Sequence, residues 1–311
     1  MGKSAFSKNM QKLRRNIVYF FAKYLSSILL LLPFKISANI AEYLALIVSV
    51  FLLKERRRIL KNLDFAYSET LSPKQKKKIL QDVFRHCGRS FVEFLWLRNP
   101  DKLFNILDIE VRGIENLKNA LAMGKGILCL TAHFGNWELM GAYTSSRLGY
   151  PVNVLAREMH DSRINELLNS IRIAGGANVI DRKSELKGVF KCLKRNELLG
   201  ILIDQDTKGD GLFVNFFDRP AFTQKGILIL HNKTGSAIVP SFIYRVDKLK
   251  HIIEFCEQLK LPKNENLAVD IQEGLQICTN VVEDYVRKYP GQWMWMHRRW
   301  RRRQDNTMET Y

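Results

Sequence analysis

The sequence predicts an α/β fold, a three-layer domain with a mostly parallel central sheet, preceded by an N-terminal membrane-associated helical region. Three observations carry this expectation. From about residue 108 onward, short β-prone runs alternate with helical patterns. The run Gly126–Leu130 is continuously apolar, as a strand covered on both faces must be. Before residue 55, two apolar runs stand among basic residues.

Residues 1–16 are polar and basic. Residues 17–34 are largely apolar and fall within the ~17–25 residues that a bilayer span needs, although Lys23 and the Ser26-Ser27 pair interrupt them. The second run, 36–53, carries Asn39 and Glu42 and is less lipid-like. A single membrane anchor is the leading expectation, ahead of a pair of interfacial helices and of two core helices. Basic residues flank both sides, so the positive-inside rule does not orient the segment. No cleavable signal peptide is expected, because no small-residue site follows the apolar stretch and positive charge continues after it. Phe6 stands where an N-myristoylation signal needs Ser or Thr. The expected organisation is a basic, membrane-associated segment at 1–54, a main domain at 55–303 with a helical lead-in over 55–105, and a polar tail at 304–311.

In the lead-in, Ser72-Pro73 opens a helix with Ser72 as cap and Pro at the first helical position. Phe84, Phe91, Phe94 and Leu95 form a helical stripe expected in the core. Strands are then expected at 108–112, 126–131, 152–156, 177–180, 199–203, 237–244 and 250–256. Helices are expected at 114–122, 136–148, 161–174, 184–195, 222–233 and 266–288.

The net charge of +18 is unevenly spread. Residues 1–63 hold twelve Lys/Arg against two acids, and residues 287–303 hold seven Lys/Arg and no acid, while 64–286 is close to neutral. The charge borders apolar or Trp-rich sequence. That favours an anionic lipid surface, where each basic residue contributes about 1 kcal/mol, over nucleic acid, which is gripped by charge on a domain face. The five scattered cysteines include no CxxC pair and read as reduced packing residues, with neither a disulfide frame nor a zinc site.

Directly after the apolar strand stand His133 and Glu138. On one straight helix, five steps of about 100° would leave them roughly 140° apart. With His133 in the strand-to-helix turn and Glu138 on the first helical turn they can meet, as a base and its orienter able to deprotonate an alcohol. His133, Arg157, Arg182 and Asp204–Asp206 all follow expected strands, where sites on parallel sheets lie. Gly135 and Asn136 at the helix start offer backbone N–H groups to an oxyanion, with plain capping by Asn136 an equal alternative. Arg157 reads as a contact to an oxyanion or phosphate, or as a surface arginine. Arg182 reads as a second phosphate grip, or as part of a solvated loop. Asp204 and Asp206 lack a His or third acid at ligand spacing, so no metal is expected there; they read as structural braces, chiefly Asp204. His297 is a rival base without an acid near it in sequence, and His86, His160, His231 and His251 have no assigned role.

The blocks His133–Glu138, Asp204–Asp206, Phe216–Thr223 and Pro290–Trp300, in that order, with the basic Arg56-Arg57-Arg58 and Asn62-Leu63 upstream, closely resemble the late acyltransferases of lipid A biosynthesis, the lauroyl/myristoyl transferases of Gram-negative bacteria. The spacing His-x4-Asp/Glu after an apolar strand is the signature of the wider glycerolipid acyltransferase superfamily. The resemblance implies a glycerolipid-acyltransferase-like fold at the inner membrane, with the catalytic domain on the cytoplasmic side. It implies an acyl-carrier-protein thioester as donor, no cofactor, and a Kdo-bearing, phosphorylated glucosamine-disaccharide lipid as acceptor, acylated on a 3-hydroxyacyl chain. It also implies the base and orienter roles for His133 and Glu138, and supports an active-site role for Arg157. In such an enzyme Phe216, Phe217 and Phe222 of the aromatic loop Phe213–Thr223 line an acyl channel, if they are not plain core. Trp293–Arg303 meets the membrane interface, the alternative being a single-strand nucleic-acid groove. The nearest alternative function keeps the chemistry and changes the acceptor to another glycolipid such as a phosphatidylinositol mannoside. A non-catalytic basic membrane- or nucleic-acid-binding protein is the more distant one.

Overall fold

The structure, a computed structural model, describes residues 10, 16, 19–20, 23–155, 161–180, 185–206, 209–305 and 307–311. Arg157 and Arg182, and the stretches around them, lie outside the described residues.

Helices α1 (Phe34–Phe51), α2 (Leu53–Tyr67), α3 (Pro73–Trp96) and α4 (Pro100–Ile106) precede the sheet. α3 opens on a capping box: Ser72 accepts from the Gln75 N–H, the Gln75 side chain accepts from the Ser72 N–H at 2.8 Å, and Pro73 fills the first helical position. Such a cap contributes about 1 kcal/mol. α1 lies against α3 so closely that a Cβ on Gly88 would stand 2.4 Å from the Ala41 carbonyl oxygen. Arg89 of α3 pairs with Glu42 of α1 at 2.9 Å. The opposite face of α1 shows Ile36, Ile40, Tyr43, Ile47 and Phe51 to the outside.

The expected span over 17–34 lies partly outside the described residues. Residues 23–31 are helical, but the chain breaks at Leu32–Pro33 and α1 starts afresh, since proline cannot continue the preceding hydrogen-bond ladder. Among the described residues, the helix long and apolar enough to cross a membrane is Phe34–Phe51.

The remaining elements are β1 (Asp108–Arg112), α5 (Ile114–Leu121), β2 (Ile127–Thr131), α6 (Trp137–Ser146), β3 (Val152–Leu155), α7 (Ser162–Ala174), β4 (Asn178–Ile180), α8 (Glu185–Lys194), β5 (Leu198–Leu202), β6 (Gly211–Phe216), β7 (Arg219–Gln224), α9 (Gly226–Thr234), β8 (Ala237–Arg245), β9 (Lys250–Phe255) and α10 (Leu267–Lys288). The main sheet has seven strands in the order β1-β9-β8-β2-β5-β3-β4. All its pairings are parallel except β8 with β9.

β2 is buried along its whole length because alternate residues enter two separate cores. Leu128 and Leu130 join side chains of α3, α8, α9 and α10. Ile127 and Cys129 join those of α4, α5, α6 and α7. Helices thus cover both faces, giving the three layers that the continuous apolar run required.

Two expectations fail between 211 and 226. The aromatic stretch is not a loop but the antiparallel hairpin β6–β7, and the helix expected from 222 begins only at Gly226. The hairpin turns on Phe217 and Asp218, both left-handed, with φ of 53° and 56°. A two-residue turn of this kind is normally signalled by Asn-Gly or Asp-Gly. Tertiary contacts hold it instead: the Phe217 N–H donates to Glu283 at 2.5 Å and the Arg287 guanidinium stacks 4.3 Å over the Phe217 ring.

Candidate active site

β2 delivers its carboxyl end into a tight turn before α6. Gly135 makes the turn possible, with φ of 58° and no space for a side chain, since a Cβ would fall 1.7 Å from the Ile243 carbonyl oxygen. Asn136 caps α6 by accepting from the Leu139 N–H at 3.1 Å. β5 lies beside β2 in the sheet, so the segment after β5 arrives next to this turn.

That adjacency makes Asp204 the partner of His133. One carboxylate oxygen of Asp204 is 2.9 Å from the His133 ring Nδ1, and the other accepts from the His133 backbone N–H at 2.9 Å and the Trp293 indole N–H at 2.8 Å. Asp204 is buried. Burial pushes its carboxyl up, but the charge and hydrogen bond of His133, the charge of His297 and the Trp293 hydrogen bond prevail and hold it below the usual carboxylate range. Nδ1–H therefore points at Asp204 and leaves Nε2 as the basic nitrogen. The Gln205 amide donates to Nε2 of both His133 and His297, at 2.8 Å each. The two imidazoles stack edge to face with centroids 4.9 Å apart. Burial, and then the charge of His133, lower His297 to about 4.

The expected grip of Glu138 on the His133 ring is absent. Glu138 sits on the first turn of α6, and Arg172 of α7 holds its carboxylate, with Nε 3.0 Å from both oxygens and a terminal nitrogen at 2.6 Å. Five residues along the chain carry the two side chains to different neighbours, since β5 supplies a carboxylate to the histidine and α7 a guanidinium to the glutamate. Both still line one cavity of about 300 Å³, walled also by Phe91, Phe94, Trp137, Leu168 and Met294. That volume is at the lower end of the roughly 300–1,000 Å³ of ligand pockets. Phe91 and Phe94, expected only as core, are part of its apolar wall.

The polar groups offered to an oxyanion are largely committed. The Gly135 N–H donates to the Gln292 carbonyl at 2.9 Å. The Asn136 amide donates to buried Glu93 at 2.8 Å while its oxygen caps the helix. The Trp137 and Glu138 N–H groups fall in the first helical turn, where no intrahelical acceptor exists. Glu93 also binds Arg245 and lies 3.4 Å from His251. Burial raises the Glu93 carboxyl, yet Arg245 and His251 outweigh it and keep it well below the ordinary value. Glu93 and Arg245 escaped sequence reasoning; the one signal was an acid inside the apolar stripe of α3.

The Trp-rich tail does not present its rings to a membrane. Trp293, Trp295 and Trp300 are buried, and their indoles donate to Asp204, the Pro290 carbonyl and the Phe216 carbonyl. The tail runs beside the turn as a strap, with the Met294 N–H donating to the His133 carbonyl at 3.0 Å. Asp206 anchors it further on, 3.0 Å from Arg302 Nε. Phe216 and Phe217 pack under the tail indoles and the ring of Phe222 carries Arg302; none lines the cavity beside His133. His86 and Gln292, assigned nothing from sequence, do.

The family model described as bacterial lipid A biosynthesis acyltransferase matches residues 3–302. Among curated proteins, the chain is 26% identical over 287 residues to the lipid A biosynthesis lauroyltransferase of Escherichia coli (strain K12), covering 90% of each chain. It is 23% identical over 276 residues to the palmitoleoyltransferase of the same organism, covering 88% of this chain and 87% of the relative. A phosphatidylinositol mannoside acyltransferase of Mycobacterium tuberculosis (strain ATCC 25618 / H37Rv) is 27% identical over 147 residues, covering 46% of each.

Proposed function

The chain belongs to the bacterial lipid A biosynthesis acyltransferases, and from that membership we propose that it moves a fatty acyl group from an acyl-carrier-protein thioester to the hydroxyl of a 3-hydroxyacyl chain on a Kdo-bearing lipid A precursor. The observation that carries the mechanism is the His133–Asp204 pair at the wall of an apolar cavity. The acceptor hydroxyl takes over the hydrogen bond that Gln205 makes to His133 Nε2. His133 accepts its proton as the oxygen attacks the thioester carbonyl, and Asp204 keeps the ring in the Nδ1–H tautomer and stabilises the imidazolium. The C–S bond then breaks, and the leaving thiolate takes the proton back, giving ester and free thiol. Free N–H groups at the start of α6 face the developing oxyanion, with Arg157 a further candidate. Glu138, clamped by Arg172, forms a neutral ion pair in the cavity wall and fixes that wall independently of the base. The chemistry needs no cofactor.

The proposal places the enzyme on the cytoplasmic face of the inner membrane. α1 supports the membrane contact, though not its side, with an apolar outer face on a helix that packs lengthwise on α3, in a segment rich in Lys and Arg. Such a helix suits the headgroup boundary.

Purified enzyme incubated with labelled acyl-carrier protein and a panel of acceptors tests the assignment. Transfer to the lipid A precursor, with a matching loss of one acyl chain from the lipid A of cells lacking the protein, is the expected result. Product formed only on phosphatidylinositol mannosides would reject this acceptor and keep the chemistry.

A further inference from the structure

We infer that a basic recess beside the reaction cavity binds an oxyanion, phosphate or carboxylate, on the headgroup of the acceptor lipid. The inference deepens the proposed function and rests on it for the identity of that lipid. The recess has a volume of about 530 Å³. His86 and Gln292 line both it and the cavity that holds His133, so one molecule can fill the two together, its chain in the apolar cavity and its charged group in the recess.

Five basic side chains, Lys78, Arg85, Arg89, Arg245 and Lys248, face two acids, Glu42 and Asp82. The charges fall into a fixed floor and an open rim. Arg89 is spent on Glu42 at 2.9 Å and on the Lys248 carbonyl at 2.8 Å, and Arg245 on Glu93 at 2.8 Å. Arg85 is shared between Asp82 at 3.2 Å and Glu42 at 3.9 Å, with 42% of its side chain exposed. Lys78 and Lys248 are exposed and have no ion pair among the described residues. Two uncommitted ammonium groups and a half-committed guanidinium over a rigid, neutralised floor attract an oxyanion, and they hold it more by charge than by fixed fork geometry.

The position of the recess favours a lipid headgroup over an acidic protein. Glu42 in its wall belongs to α1, whose outer face is the apolar Ile36, Ile40, Tyr43 and Ile47. One helix therefore forms both the wall of the basic recess and the surface suited to a bilayer, which sets the recess at headgroup depth. The recess is also concave, as a sugar phosphate requires.

The test uses full-length enzyme and the double variant Lys78→Glu/Lys248→Glu, both positions being exposed, with thermal unfolding as the folding control. Binding of a soluble phosphorylated glucosamine disaccharide is measured directly. KM and kcat are measured with phosphorylated and dephosphorylated acceptors. The expected result is disaccharide binding weakened about tenfold or more in the variant. KM rises by a similar factor for the phosphorylated acceptor alone, with kcat little changed. Equal disaccharide binding by both proteins overturns the inference. So does a KM increase confined to the acyl-carrier protein, which would make the recess a carrier dock. Disaccharide binding lost only in the variant, in an enzyme that transfers no acyl group to the lipid A precursor, sustains the recess and rejects the proposed acceptor instead.

Discussion

At the scale of single residues, the working unit is the imidazole of His133 with the carboxylate of Asp204. His133→Ala should lower acyl transfer by about 10²–10⁴-fold. Asp204→Asn should lower it by a similar order, because an amide in that position no longer selects the Nδ1–H tautomer. The two residues act as one device, so the double variant should be no slower than the worse single one. Additive losses in steady-state kcat would separate them. Glu138 makes a contrasting case. Its carboxylate is bound to Arg172 and not to the histidine, so Glu138→Gln should retain much of its effect in a His133→Ala background. Full masking of that effect would show that Glu138 acts through the base after all. His133 and Glu138 were legible from sequence as cavity residues, since each stands at a fixed distance from the end of an apolar strand. Asp204 was legible as a brace of the site, but the pairings were not, because Asp204 and Arg172 are 71 and 34 residues away from their partners along the chain.

At the scale of elements, the site depends on how closely backbones approach. Gly135→Ala places a methyl group into the Ile243 carbonyl on a left-handed backbone, which costs more than the ~1–3 kcal/mol of ordinary overpacking. The variant should lose activity together with stability, measured by chemical denaturation. An unchanged unfolding midpoint would contradict the turn geometry. α1 makes a separate prediction. Ile40→Asp/Ile47→Asp adds charge to its exposed face without touching the α3 seam. It should reduce flotation with anionic vesicles while leaving unfolding unchanged; equal flotation would remove α1 from the membrane contact. The periodicity of the sequence placed most strands and helices within a residue or two of those observed. The hairpin at 211–224 was missed because its turn lacks the usual glycine and is held from α10.

At the scale of the whole molecule, half-buried histidines set the acid limit. His297 drops from an ordinary value of 6.5 to about 4, by burial and the neighbouring His133. His86 drops to about 4, by burial and Arg245. Between those values the unfolded chain takes up protons that the folded chain refuses, so folding stability rises with pH across this window and is lost on acidification through it. Asp204 acts in the same sense over a lower window, since its depressed carboxyl contributes stability above its unfolded value of 3.8, which is lost only as pH falls further. Denaturation midpoints should therefore decline from about pH 6.5 towards 4 and then more steeply, and His297→Gln should flatten the first part of the slope. A midpoint independent of pH over that window would refute the holding of these rings as neutral imidazoles.

The amino-acid sequence alone determined the layered α/β architecture, the histidine at the end of β2 and the family, because each is written in local periodicity or in short blocks of fixed spacing. Tertiary structure alone decided which acid serves that histidine, that the tryptophans of the tail are buried beneath the site, and that a helix break at Leu32–Pro33 makes α1 a long apolar helix of its own. The physical reason is sheet order. Hydrogen bonding between β2 and β5 brings Asp204 to His133, and the order in which strands pair is settled by the fit of two cores on opposite faces of the sheet, a property of the assembled chain that no short window of it contains.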